Sequence, residues 1–160
     1  EIEGSIGRGV NRLLERTLGG PELVARARPI FERHYAAGLL VHTRPYPGVD
    51  ALVREPAGRW TQAVATNKPG LWAREIVARL GWAEAVPRVV GGGDVERLKP
   101  APDMVDLLLR QTGVPAAQAV VVGDMDVDLE LARAAGLPFV ARSAPGRRRG
   151  KAATNANSRC

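Results

Sequence analysis

The chain has 160 residues, 45% of them hydrophobic, and a formal net charge of +6 at pH 7. This length fits one domain with a substantial core. No run approaches the ~18 apolar residues of a membrane span, and no basic stretch is followed by an apolar run near residue 1, so we expect no membrane partner, no signal peptide and a cytoplasmic location. The single cysteine, Cys160, excludes an internal disulfide and a multi-cysteine metal site.

The positive charge is concentrated at the C-terminal end. No acidic residue follows Glu130, while residues 143–160 are rich in Arg, Gly, Ser and Asn and have no apolar periodicity. This composition predicts a disordered basic tail. Such a tail could touch RNA or acidic partners nonspecifically, but we favour a solvated end and expect no specific nucleic-acid partner.

Two amphipathic helices are predicted over residues 4–18 and 21–38, because apolar residues recur there at helical spacing and a Gly-Gly-Pro sequence separates them. Gly7 and Arg8 have two interpretations. Either Gly7 and Gly9 only loosen the start of the first helix, or residues 5–9 form a loop and helix N-terminus that approaches an anionic group, with Arg8 nearby. Residues 44–50 contain two prolines and a glycine, which marks a domain boundary. We therefore divide the chain into helical residues 1–43, an α/β core at 44–142 and the tail.

Helix and strand patterns alternate after this boundary. Such alternation predicts an α/β fold with a parallel sheet and right-handed crossovers. The expected strands are residues 62–66, 88–90, 119–122 and 138–141, and the expected helices are 50–55, 71–80, 102–111 and 126–135.

The most informative strand is the run at 119–122, which consists of small or β-branched apolar residues and is predicted to be buried on both faces. It delivers Asp124 at its carboxyl end, and Asp128 follows in the first turn of the next helix. Two carboxylates so placed suit Mg²⁺. The alternative is that such residues only cap the helix and favour its positive end.

Polar residues also follow the earlier strands. Thr66 and Asn67 end the strand at 62–66, where they could hold phosphate oxygens or simply form a turn with a helix cap. Lys99 precedes a proline, so it lies in an extended segment where its ammonium could meet a phosphoryl group, or remain a solvated loop residue.

Taken in order, these residues resemble the motifs of the haloacid dehalogenase-like hydrolase superfamily. Thr66, Lys99 and the run from Gly123 to Asp128 match three of the family's motifs. The amino-acid sequence at residues 7–18, 44–49, 66–69 and 99–102 is similar to motifs of the phosphoglycolate phosphatase branch. The resemblance covers about residues 4–141. Each motif alone is weakly specific, and their combination is highly specific.

The resemblance implies a Rossmann-like parallel sheet with a partial helical cap, and a phosphatase that acts on a small phosphorylated metabolite, above all 2-phosphoglycolate. It implies catalytic roles for Thr66, Lys99 and Asp124, with Mg²⁺ at Asp124 and Asp128. Substrate binding would fall to Thr66, Asn67, Lys99, Gly7 and Arg8. Another sugar-phosphate or nucleotide phosphatase, a mutase, and a noncatalytic binding module are the alternatives. The oligomeric state stays open.

One departure from the family is large. The motif Asp-x-Asp-Gly-Thr, which would supply the attacking aspartate at the end of the central strand, does not occur, and Asp-Gly is found nowhere in the chain. We therefore expect a truncated piece of a phosphatase, inactive alone. An empty central position would leave two inner strand edges unpaired or force them to pair otherwise.

Overall fold

The computed structural model describes residues 9–56 and 58–141. Helices and strands alternate over most of this length. The helices are α1 (Val10–Leu18), α2 (Pro21–Gly38), α3 (Val49–Arg54), α4 (Gly70–Arg79), α5 (Asp103–Thr112) and α6 (Asp126–Ala134), with a short 3₁₀ helix at Ala116–Gln118. The strands are β1 (Ala63–Pro69), β2 (Arg88–Gly92), β3 (Val121–Gly123) and β4 (Phe139–Ala141). Within these residues, no helix has the length and apolar character needed to cross a membrane.

The strands form two parallel pairs. β1 pairs with β2 from Ala63 opposite Arg88 onward, and β3 pairs with β4 from Val121 opposite Phe139 onward. Each pair is a separate two-stranded sheet in the described part of the chain, and β1 is not hydrogen-bonded to β3. The predicted α/β class with parallel strands is therefore confirmed, and the two separate halves agree with the expected sheet whose central position is empty.

β3 corrects one expectation. The run at 119–122 was expected to be buried on both faces, but the strand is only three residues long, and Val122 is 59% exposed and Val120 53% exposed. The reason is that, within residues 9–56 and 58–141, β3 has a strand neighbour on one side only. Its other side borders a cleft of about 580 Å³, which Ala63 and Ala65 of β1 also line.

The tightest packing lies beneath the first sheet. Met104 of α5 is fully buried and contacts Val90 of β2 and Leu108, and Ala65 and Leu98 pack against this cluster. Burying side chains of this size stabilises the fold by roughly 1.5–3 kcal/mol each. α5 therefore anchors the first sheet. The segment that leads from this sheet to α5 carries Lys99.

The helix α2 reaches the core through aromatic side chains. The Tyr35 ring lies 4.8 Å from the Trp72 ring of α4 and 5.5 Å from the Phe31 ring one helical turn earlier. The predicted apolar side of α2 is only partly covered, since Leu23 is 50% and Ile30 53% exposed. The assignment of residues 1–43 to a partial cap stays a prediction.

Close backbone contact holds the end of β2 against the start of α4. A Cβ atom on Gly91 would lie 2.5 Å from the Gly70 Cα atom, so only glycine fits there. Asp94 accepts hydrogen bonds from the Gly91 amide and from the Arg74 guanidinium. The hydrogen bond from Arg74 holds the pKa of Asp94 below its usual value. These contacts fix the chain where it leaves β2.

We expect Gly91→Ala to lower the free energy of unfolding by about 3 kcal/mol, the upper end for overpacking. The added methyl group has to displace backbone and not a flexible side chain. Urea denaturation measures the change. Gly38→Ala is the matched control, because nothing lies within 4 Å of its Cβ position and alanine suits a helix better. Equal stability of Gly91→Ala and the control would contradict this contact.

Candidate functional site

The Lys99 side chain links the first half-sheet to the helix that follows β3. Its ammonium donates to the Asp128 Oδ1 atom at 2.8 Å and to the Ala65 carbonyl oxygen of β1 at 2.9 Å. Both charged side chains are only 8% exposed. Because a buried charge is costly unless it is paired and hydrogen-bonded, this contact is a well-defined feature of the fold. It joins β1 to the first turn of α6.

Asn67 fixes the backbone of Lys99. Its Nδ2 group donates to the Lys99 carbonyl oxygen at 3.0 Å, and its Oδ1 atom accepts from the Lys99 amide at 2.8 Å. Asn67 is 4% exposed. These two bonds make Asn67 a positioning residue for Lys99, a role that the sequence pattern did not reveal. The only sequence signal was the presence of an amide side chain next to Thr66.

Thr66 lies between Ala65 and Asn67 and so sits beside both contacts to Lys99. Its Oγ1 atom accepts a hydrogen bond from the Lys68 amide at 3.2 Å. That bond uses a lone pair of the hydroxyl oxygen and not its hydrogen. Thr66 is partly exposed in this position. Its hydroxyl can thus still donate to an anionic ligand.

The two aspartates after β3 differ in their surroundings. Asp128 is buried, and its Oδ2 atom accepts from the Met125 amide at 3.2 Å, which caps the start of α6. A Cβ atom on Gly123 would lie 2.6 Å from the Asp128 carboxyl carbon, so this close approach requires glycine. Asp124, by contrast, is exposed. Asp128 therefore has the helix-capping role that the sequence offered as an alternative.

The carboxylates after β3 are the candidate ligands for the implied Mg²⁺. No group of three or more His, Cys, Asp and Glu side chains in residues 9–56 and 58–141 converges on one point. Mg²⁺ does not need such a group, since it keeps several waters and commonly takes one or two carboxylates together with substrate phosphate oxygens. Asp124 offers an exposed carboxylate, and Asp128, which bonds Lys99 and Met125, holds the turn that presents it. These residues fit Mg²⁺.

Gly7 and Arg8 lie outside the described residues. The residue that follows them, Gly9, has a φ of +90°, and a Cβ atom there would lie 3.0 Å from Leu98 Cδ1 and 3.9 Å from the Asn67 carbonyl oxygen. The start of α1 therefore lies against the segment that carries Lys99. A second cleft, of about 490 Å³, opens between the helices α1 and α2 and the core. Gly9, Asn67 and Leu98 are among the residues that line it.

Lys68 and Tyr35 form a contact that sequence reasoning missed. The Lys68 ammonium donates to the Tyr35 hydroxyl and lies 4.6 Å from the centroid of the ring. A cation over an aromatic face is favourable by about 0.5–1 kcal/mol at an exposed site. Helical spacing places Phe31 and Tyr35 on one face, but nothing in the sequence indicates which distant residue they meet.

We expect Lys99→Met to lower the free energy of unfolding by about 3–5 kcal/mol, because it leaves the Asp128 carboxylate buried without its cation. Lys68→Met is the matched control. Its ammonium takes part in an exposed contact, so the loss should stay below about 1 kcal/mol. Thermal or urea unfolding of the two variants gives the comparison, and similar losses in both would contradict the importance of the buried pair.

Residues 4–142 match the family model described as haloacid dehalogenase-like hydrolase. The phosphoglycolate phosphatase of Rhodospirillum rubrum is 41% identical over 114 residues, which is 71% of this chain and 47% of that protein. The plasmid-encoded phosphoglycolate phosphatase of Cupriavidus necator is 36% identical over 143 residues, covering 86% of this chain and 62% of that protein. The chain thus spans about half to under two thirds of the length of these relatives.

Solved structures agree with the fold. The crystal structure of a predicted phosphoglycolate phosphatase from Haemophilus somnus superposes with a TM-score of 0.81 at 24% identity, covering 88% of this chain and 67% of that one. CbbY from Rhodobacter sphaeroides, solved in complex with phosphate, gives a TM-score of 0.75 at 25% identity, with coverage of 89% and 68%. With the family match over most of its length, the chain belongs to the haloacid dehalogenase-like hydrolase family.

Proposed function

We propose that this chain is part of a phosphatase that hydrolyses a small phosphomonoester, 2-phosphoglycolate above all, with Mg²⁺ as cofactor. The observation that carries the proposal is the buried Lys99 ammonium, held between the Ala65 carbonyl oxygen and the Asp128 carboxylate. Thr66 lies in the chain between Ala65 and Asn67, which both hydrogen-bond Lys99, and Asp124 begins the turn that Asp128 holds. The two relatives named as phosphoglycolate phosphatases support the choice of substrate.

Each residue has a role that follows from its contacts. The Lys99 charge would offset the negative charge of a phosphoryl group, and its fixed position means that little reorganisation is needed when the ligand binds. The Thr66 hydroxyl would donate to a phosphoryl oxygen. Asn67 would act mainly through Lys99, whose backbone it holds, and its own contact with substrate stays a prediction. Gly7 and Arg8, which precede Gly9 where the chain lies against Leu98, would bind the rest of the anion.

Asp124 would bind Mg²⁺, and Asp128 would support it by fixing the turn. When bound, the ion would polarise a phosphoryl oxygen and neutralise part of its charge. The family resemblance implies that an aspartate attacks phosphorus and that a second carboxylate protonates the leaving alkoxide. Because the chain contains no Asp-x-Asp-Gly-Thr motif, the residues named here would all assist that reaction.

We expect residues 1–160 alone to show no hydrolysis of 2-phosphoglycolate or nitrophenyl phosphate above background in the presence of Mg²⁺. Release of inorganic phosphate is the measurement, and the Asp124→Asn chain should give the same background rate. Strong Mg²⁺-dependent turnover that Asp124→Asn abolishes would show that the chain supplies its own nucleophile.

Ligand binding tests the site without turnover. We expect Asp124→Asn to weaken Mg²⁺ binding about tenfold, because it removes the exposed carboxylate that directly follows β3, together with its charge. Titration calorimetry of Mg²⁺ in the presence of inorganic phosphate measures this change. Asp106→Asn is the control, since Asp106 is an equally exposed aspartate on α5. If both variants bind Mg²⁺ as tightly as the unchanged chain, Asp124 is not a ligand.

A further inference from the structure

Lys68 carries a positive charge beside the candidate phosphate site. Its ammonium donates to the neutral Tyr35 hydroxyl and lies 4.6 Å from the centre of the Tyr35 ring. In the part of the chain that the structure describes, no salt bridge includes Lys68, whereas Lys99 is paired with Asp128. The Lys68 charge is therefore available to pair with an anionic ligand.

The backbone of Lys68 contacts the residue expected to hold the phosphoryl group. Its amide donates to the Thr66 Oγ1 atom at 3.2 Å. Because a lysine side chain is a stem of only four carbons, its ammonium stays within reach of a small ligand bound at Thr66. A ligand that accepts from the Thr66 hydroxyl and also meets this ammonium needs two anionic groups a few bonds apart. An uncharged leaving group would leave Lys68 with its aromatic contact alone.

The Tyr35 hydroxyl offers a second donor at the same place. Accepting the bond from Lys68 uses a lone pair of the hydroxyl oxygen and leaves its hydrogen to donate. The position of the ring is defined by packing, since its centroid lies 5.5 Å from that of Phe31 and 4.8 Å from that of Trp72. A carboxylate has two oxygens that accept hydrogen bonds, and this ammonium and this hydroxyl can supply one donor to each.

The existing contacts of Lys68 can be exchanged for a ligand at little cost. A cation over an aromatic ring at an exposed site is a weaker contact than a charge-assisted hydrogen bond to a carboxylate. Glu32 lies less than one turn before Tyr35 on α2, but its carboxylate bonds Arg28 at 2.8 Å. A ligand carboxylate at Lys68 would thus gain an ion pair without breaking one among the described residues.

We propose that Lys68, together with Tyr35, binds a carboxylate on the leaving group and makes the phosphate site selective for short phosphomonoesters that carry a second anionic group. The inference rests on the proposed function, because it requires a phosphoryl group at Thr66. It adds the residues that choose the substrate. 2-Phosphoglycolate has the required form, since one carbon joins its phosphoryl oxygen to its carboxylate.

The binding of two phosphomonoesters to the chain of residues 1–160 tests this inference. 2-Phosphoglycolate is compared, in the presence of Mg²⁺, with ethyl phosphate, which has a methyl group in place of the carboxylate. Titrations followed by amide NMR signals give both affinities and the location of binding. We expect 2-phosphoglycolate to bind at least about tenfold more tightly, because ethyl phosphate lacks the charge-assisted hydrogen bond. Lys68→Met should remove most of this preference and keep the affinity for ethyl phosphate, which also shows that the variant is folded.

Two further variants separate a local contact from the overall charge of the chain. Tyr35→Phe keeps the ring and removes one donor, so the preference should fall about threefold. Arg79→Met removes one positive charge from an exposed pair with Glu75 on α4 and should leave the preference unchanged. If Lys68 only joined α2 to the core, Lys68→Met would not change the ratio of the two affinities.

The outcomes distinguish this inference from the proposed function. Equal affinity of the unchanged chain for 2-phosphoglycolate and ethyl phosphate, with inorganic phosphate still bound, would overturn the role of Lys68 and leave the phosphate site in place. A preference that Lys68→Met retains, or that Arg8→Met removes and Lys68→Met does not, would also overturn it. If the chain bound neither phosphomonoester nor inorganic phosphate, the phosphate site and this inference would both be wrong.

Discussion

The ion pair between Lys99 and Asp128 is the interaction on which this fold and its candidate site both depend. Lys99 also reaches the Ala65 carbonyl oxygen, so one ammonium links β1 to the helix that follows β3. Removing two charges from water is unfavourable, and the attraction between them compensates only when the remaining polar groups are also paired. Here the second Asp128 oxygen caps α6, and Asn67 holds the Lys99 backbone. A charge fixed in this way is suited to an anionic ligand, because no further rearrangement is required to present it.

In each half-sheet, the strand edge that faces a partner strand and the edge that faces the cleft have different surroundings. β1 pairs in parallel with β2, and β3 pairs in parallel with β4. α5 packs under the first sheet with Met104 fully buried. On the inner side the strands border the cleft, and the exposure of Val122 reflects this. Ala65 and Asp128, which both hydrogen-bond Lys99, line this cleft.

Much of the architecture follows from sequence pattern alone. Apolar periodicity and the Gly and Pro residues between elements located α2 and the alternating helices and strands, and the parallel pairing followed from that alternation. The burial of β3 did not follow, because a continuous apolar run is the same whether its strand lies at the centre of a sheet or beside a gap. The Asn67 contacts to Lys99 were also missed. They join residues 32 positions apart, and an amide after a strand reads equally well as a turn residue. The contact of Lys68 with Tyr35 was missed because helical spacing identifies a face and not its partner.

The double hydrogen bond between Asn67 and Lys99 has a consequence for how this family member can change over evolution. Asn67 of β1 hydrogen-bonds the Lys99 backbone. The position of the ammonium is therefore set by the strand and not by the loop that leads to Lys99. The exposed Glu96, which lines the second cleft, can then vary and so adapt the rim of that cleft to different ligands, while the charge stays in place. Substitution at Asn67 has no such freedom, because its side chain must offer a donor and an acceptor at once.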